Sequence, residues 1–275
     1  SLWYGMSMYE LYQQAHTPWE WHKPIFDRCN ELGLLCFSSP FDETAVDFLE
    51  TLNCPCYKIG STENTDYELI KKVAETGKPV IISTGMATIE ELGKITEVVK
   101  KAGCIELILL KCTAAYPASP ADANLLTIQH MKDMLDCQIG LSDHTLGMGV
   151  AVASVALGAV MVEKHFTISR KEGGVDSVFS MEPDEFSQMV IETNIAWKAK
   201  GFICYGPIGS ENSNLSRRSL YIVKDINRGE KLTKQNIRSI RPGYGLAAKH
   251  INTVLGMKAT SDIKRGTRMS WDLVK

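Results

Sequence analysis

The chain has 275 residues, 44% of them hydrophobic and 23% charged, with a formal net charge of −2. That length fits one large domain, or one domain with a small appendage, of ordinary soluble globular composition. The near-neutral charge excludes a general attraction to nucleic acid or to an anionic membrane, and no apolar run approaches the roughly 20 residues of a membrane-spanning helix.

In chain order, "SLWYGMSMYE" lacks the basic and apolar regions of a signal peptide, and "MYELYQQAHTPWEWHKPIFDRCNELG" reads as helix and loop. Six apolar stretches then recur: 34–39 ("LLCFSS"), 56–61 ("CYKIGS"), 80–85 ("VIISTG"), 107–113 ("LILLKCT"), 139–144 ("IGLSDH") and 160–166 ("VMVEKHF"). Their ends lie one strand, one helix and two short loops apart. The intervals read as helices. "ETAVDFLETL" (43–52) puts Ala45, Val46, Phe48, Leu49 and Leu52 on one face. "TIEELGKITEVVKKAG" (88–103) opens on Thr88 as N-cap and closes on two lysines before Gly103. "SPADANLLTIQHMKDML" supplies the next helix.

Near-continuous apolar strands alternating with amphipathic helices imply a parallel sheet covered on its outer face. Every stretch ends in small, polar or charged residues. A TIM-type (β/α)8 barrel brings all its C-terminal strand ends to one mouth, whereas an open doubly wound sheet concentrates them at one switch point. The predicted fold is therefore an α/β barrel with about six recognisable βα units, spanning 1–205. A closed barrel needs eight strands, so either two lie in a segment absent from this chain, the expectation favoured here, or the fold is an open six-stranded sheet. Residues 206–218 are Gly/Ser-rich and read as a linker. A small second domain follows over 219–275, with two similar turns, "DINRGE" and "DIKRGT". The eight cysteines are scattered, and Cys54-Pro-Cys56 has no second pair with which to build a zinc ribbon. A reduced, cytoplasmic protein is expected.

His144 and His165, 21 residues apart, end neighbouring strands and converge only through the fold. Two neutral imidazoles suit a divalent metal and leave positions open for substrate oxygen and water. Asp143 and Glu163 lie close to them in sequence. Lys58 reads either as a Schiff-base lysine or as a phosphate-binding cation, with Ser39, Ser61 and Ser142 as neutral donors. Lys164 alternates with its neighbours, faces the helices and takes no role. The residues alone reach a metal-assisted aldol or lyase-type barrel enzyme that handles an anion.

The strings "FSSPFD", "YKIGSTE", "STGM", "KCTAAYP", "GLSDHT", "VEKHFT", "GGVDSVFSMEP" and "IRPGYG", in this order, resemble the sialic acid synthase family over essentially the whole chain. "LYQQAHTPWEWHKPIFDRCNELG" and the "SLYIVKDINRGE" tail are most similar to its pseudaminic acid branch, and the small domain resembles the family's antifreeze-like (SAF) domain. The resemblance implies condensation of phosphoenolpyruvate with an open-chain amino-sugar aldehyde, giving a nine-carbon 2-keto acid and phosphate. It implies a divalent metal (Mn2+, Mg2+ or Co2+) on His144 and His165. Lys58, Ser61, Ser39 and Ser142 would hold phosphoenolpyruvate, and Tyr116, Glu163 and Asp176 would line the acceptor side as catalytic residues. It also implies a domain-swapped homodimer in which Arg241, beside the Pro242-Gly243 turn, reaches the sugar in the partner's mouth.

Two departures stand out. Ala114 replaces the Asn or Ser often found there, which removes one hydrogen bond to phosphoenolpyruvate. The family's first two strands, with "AEIG" and "VKFQ", have no counterpart in this sequence; a molecule without them is expected to be severely impaired. The other expectations are an N-acetylneuraminate or legionaminate synthase, a pyruvate-using barrel aldolase that releases no phosphate, and a degenerate, non-catalytic carbohydrate-binding or assembly protein.

Overall fold

Five short runs form a parallel sheet in sequence order: β1 (Tyr57–Ile59), β2 (Val80–Ser83), β3 (Leu107–Cys112), β4 (Gln138–Asp143) and β5 (Val162–Lys164). The computed structural model describes Gly5, residues 7–209 and residues 213–275, in two units, 1–201 and 202–275. Residues 210–212 of the predicted linker lie outside the described residues. Of the helices of the first unit, α1 (Met8–Ala15), α2 (Trp19–Glu31) and α3 (Glu43–Thr51) precede the sheet. The crossovers contain α4 (Tyr67–Ala74), α5 (Ile89–Lys101), α6 (Leu126–Met134) and α7 (Gly149–Ala156), and α8 (Pro183–Lys200) closes the unit. The sheet is a curled half-barrel.

Strand register divides the side chains cleanly. Tyr57, Ile59, Val80, Ile82, Leu107, Leu109 and Ile139 alternate onto the outer face and share one core with Val46 and Leu49 of α3, Leu69, Ile70 and Val73 of α4, Ile95 and Val99 of α5, and Ile128 and Met131 of α6. Each such side chain, fully withdrawn from water, contributes roughly 1.5–3 kcal/mol. The pairings Lys58↔Ile81↔Ile108↔Gln138 and Cys112↔Ser142↔Glu163 place Lys58, Ser83, Cys112, Ser142 and Glu163 on the inner face. Gly140 shares that face because the sheet closes tightly there. A Cβ on it would lie 2.5 Å from Leu110 Cδ2 and 2.6 Å from the Met161 carbonyl oxygen. The Thr88 cap of α5 forms as predicted, a reciprocal box in which Thr88 Oγ1 accepts from Glu91 N at 3.2 Å.

The first apolar stretch, 34–39, forms no ladder, in contrast to its prediction as a strand. A strand exists only through the partner that takes its backbone groups. Here the Ser38 amide turns to the Cys54 thiol, and the Ser38 hydroxyl lies 3.3 Å from His22 Nε2. Leu34 and Leu35 stay exposed, at 57% and 82%.

The second unit pairs β6 (Ser219–Ile222) antiparallel to β7 (Ile237–Ile240) around a core of Leu220, Ile222, Ile226, Leu232, Ile237, Val254 and Ile263. Its two similar turns form a two-fold pair. Ile226 and Ile263 exchange both backbone hydrogen bonds, at 2.9 and 2.8 Å. Asp225 Oδ1 accepts from Arg265 N and Asp262 Oδ1 from Arg228 N, each at 2.7 Å. Gly229 and Gly266 take the left-handed turn conformation at φ of 83° and 88°.

Candidate active site

Because β4 and β5 pair Ser142 with Glu163, the residues two positions further on stand side by side at the strand ends. The rings of His144 and His165 have centroids 5.1 Å apart at an interplanar angle of 70°. Their carbonyls are held by backbone amides, His144 O by Ala118 N at 2.9 Å and His165 O by Met181 N at 2.8 Å. Each ring is oriented through Nδ1. His144 Nδ1 lies 2.9 Å from the Thr113 carbonyl and can only donate to it, which leaves Nε2 with a free lone pair. His165 Nδ1 faces Asp176 Oδ2 at 3.5 Å. Burial works against the charged form of His144, but its contacts with Cys112 and the Thr113 carbonyl outweigh that and raise its pKa.

These imidazoles fit a shared cation. An ion about 2.1 Å from an imidazole nitrogen lies about 3.2 Å from the ring centre, so two rings on one ion have centres about 4.6–5.3 Å apart. The observed separation falls inside that range. Among the described residues no group of three or more His, Cys, Asp or Glu converges as a cation site, so water and substrate would supply the other ligands.

Lys58 and Ser142, the residues expected to meet an anion, lie on the inner face. Lys58 is 7% exposed, donates to the Ile59 carbonyl at 2.8 Å and stands 3.6 Å from Glu163 Oε2. Burial, only partly offset by Glu163, pushes its pKa down. Ser142 Oγ donates to Glu163 Oε1 at 2.8 Å, and Ser61 Oγ accepts from Gly85 N at 3.1 Å. The aromatic wall is Tyr116, centred 4.3 Å from the His144 ring and 6.1 Å from the His165 ring, with Phe179 5.0 Å from His165.

The loop that carries Asp176 and Phe179 is pinned by Arg170. Its guanidinium forks onto Glu185 at 2.6 and 2.8 Å and donates to the Ser180 carbonyl at 2.9 Å. That fork, with the Glu182 amide, draws the Glu185 pKa to about 2.

Residues 1–204 match the NeuB family, and residues 217–275 match the SAF domain. The chain belongs to the NeuB family. It is 40% identical to the pseudaminic acid synthase of Helicobacter pylori over 99% of this chain and 81% of that one. It is 35% identical to the N,N'-diacetyllegionaminic acid synthase of Campylobacter jejuni over 94% of this chain and 78% of the relative. Among solved structures, the N-acetylneuraminic acid synthetase of Leptospira borgpetersenii, a complex with citrate, superposes with a TM-score of 0.68 at 32% identity, over 71% of this chain and 68% of that one. The family and its relatives are those of sugar-acid synthases.

In this NeuB chain Lys58, Ser142 and Glu163 form one linked group and Tyr116, His144, His165 and Asp176 another, and Cys112, against both Ser142 and His144, joins the two. Ser39 lies half-buried in the segment that forms no ladder. Arg241 belongs to the second unit, exposed in the turn after β7. Asp143, a neighbour of the histidines in sequence, points to the opposite face and pairs with Lys164.

Three inner-face or mouth groups lie inside the family strings but were given no role from the sequence. Among the described residues the Ser83 hydroxyl is buried with no hydrogen-bond partner. Glu63 Oε2 is likewise buried without one among them, and its charge acts on Lys58. Cys112 contacts His144 at 3.9 Å. Register would have found Ser83 and Cys112, because each alternates onto the face of Lys58.

Proposed function

We propose that this chain condenses phosphoenolpyruvate with an amino-sugar aldehyde of the pseudaminic acid type, giving a nine-carbon 2-keto sugar acid and phosphate. One observation carries the reading. A buried lysine with serine hydroxyls, suited to an anion, sits on the same inner face as a pair of imidazoles suited to a divalent metal.

In this reading C3 of phosphoenolpyruvate attacks the aldehyde carbon, water adds at C2, and the C2–O bond to phosphate breaks. One water is consumed and one phosphate leaves. Lys58 meets the anion as a point charge, and Ser61, Ser83 and Ser142 serve as neutral hydrogen-bonding groups. Glu163, whose Oε1 accepts from Ser142 and whose Oε2 stands 3.6 Å from Lys58 Nζ, is the carboxylate assigned to the acceptor side. Tyr116 and Phe179 exclude water from one side of the mouth. His144 and His165 would hold a divalent metal (Mn2+, Mg2+ or Co2+), which when bound polarises the aldehyde oxygen as a Lewis acid.

The higher identity to a pseudaminic acid synthase than to a legionaminic acid synthase supports the choice of acceptor. Arg241, exposed at its turn, is assigned to the sugar in the partner subunit of a homodimer. Mixing Arg241→Ala with His144→Ala protomers then regenerates one competent site per heterodimer; a fully active monomer contradicts this. The test of the whole reading is phosphate release from phosphoenolpyruvate with a panel of amino sugars. Activity with pyruvate and no phosphate release would replace it with an aldolase.

A further inference from the structure

The two strands that end in histidine also carry a second link, on the face turned away from the site. Asp143 and Lys164 are register partners, and each side chain is 1% exposed. Lys164 Nζ lies 2.7 Å from Asp143 Oδ2 and also donates to the Thr145 carbonyl. Asp143 Oδ1 accepts from Thr145 N at 2.9 Å. Both polar groups of the Thr145 backbone are therefore held by this pair, and His144 is the residue between. His165 follows Lys164 directly. On the inner face the preceding rung is closed by Ser142 and Glu163 at 2.8 Å.

A buried ion pair is weak evidence for stability, because an apolar pair of similar volume often serves as well. Its physical signature is geometric. A slip of one residue between β4 and β5 would turn Asp143 or Lys164 into the mouth and leave the other charge buried without a partner. We propose that Asp143 and Lys164 are positioning residues, which fix the β4–β5 register and the turn at Thr145 so that both imidazoles face one metal ion. This rests on the metal reading above.

The test uses the full chain and Mn2+ alone, without substrates. The variant Asp143→Leu/Lys164→Met removes both charges together and is expected to keep a melting temperature close to that of the unaltered protein. Titration calorimetry should nonetheless show Mn2+ binding weakened about 10- to 100-fold, the range typical of lost orienting contacts around metal ligands. Lys164→Met alone leaves Asp143 buried and unpaired and should lower the melting temperature as well. Unaltered Mn2+ affinity in the folded double variant overturns the inference and leaves the metal reading standing. An unaltered protein that takes up no Mn2+ sinks both. If the double variant fails to fold, Asp143→Asn replaces it, because its carboxamide still accepts from Thr145 N. A several-fold loss of Mn2+ affinity is then expected, and none overturns the inference.

Discussion

Replacing Lys58 by methionine removes one charge from the inner face and keeps most of the buried stem. The partner left behind is not stranded, since Glu163 is 36% exposed and retains its bond from Ser142. The Ile59 carbonyl loses one donor, a cost of about 1 kcal/mol, so the fold should survive. Binding is a different matter. A hydrogen bond from an ammonium to an anion contributes about 1.5–3 kcal/mol net, so the KM for phosphoenolpyruvate should rise about 10- to 150-fold. The sugar makes no such contact in this account, and its KM should stay within about threefold. Steady-state phosphate release, with each substrate varied in turn, reads both constants. Equal rises in the two would mean general loss of the site. An unchanged phosphoenolpyruvate KM would make Lys58 a salt-bridge residue only.

His144→Ala and His165→Ala should each abolish metal-dependent turnover and Mn2+ uptake while circular dichroism stays unchanged; retained Mn2+ binding in either would refute the shared ion. Because Lys58 titrates below its usual value of 10.5, kcat/KM for phosphoenolpyruvate should fall on an alkaline limb below that pH. Lys58→Arg should move the limb upward, since arginine stays charged. Glu185→Gln breaks the Arg170 fork and should raise the KM for the sugar several-fold with little effect on that for phosphoenolpyruvate; equal effects would detach the Asp176 loop from the acceptor. The Arg265 amide and then Lys264 hold Asp225 below its usual 3.8. Its contribution to stability is present above that pH and lost as the pH falls through the lower folded value. Asp225→Asn should therefore flatten acid unfolding of the second unit, and an unchanged acid profile would contradict the cap.

The barrel-like sheet was legible because β2 and β3 are largely apolar on both faces, a pattern buried parallel strands show, and because each strand ends in polar residues. The histidine pair followed from the same logic. What the sequence could not reveal were the contacts that depend on register and on loops. Asp143 and Glu163 were both read as neighbours of their histidines, yet Asp143 is one residue from His144 and Glu163 two from His165, so alternation along the strands sends one to the outer face and the other into the mouth. Lys164 was read as facing the helices, and it does, but its partner became visible only once the rung was known. Residues 34–39 have strand composition, and composition carries no information on whether a neighbour is available to pair. Ser83 opens "STGM" and was given no role there; its orphan hydroxyl, among the described residues, emerged from burial.

The central claim is a carbon–carbon bond made from phosphoenolpyruvate with loss of phosphate. The most direct measurement incubates the full chain with phosphoenolpyruvate, Mn2+ and the amino-sugar precursor of pseudaminic acid, and follows phosphate and the nine-carbon 2-keto acid together. The account predicts that both appear in equal amounts and only when the sugar is present. Phosphate without the keto acid, or neither product with any amino sugar of the panel, would contradict it.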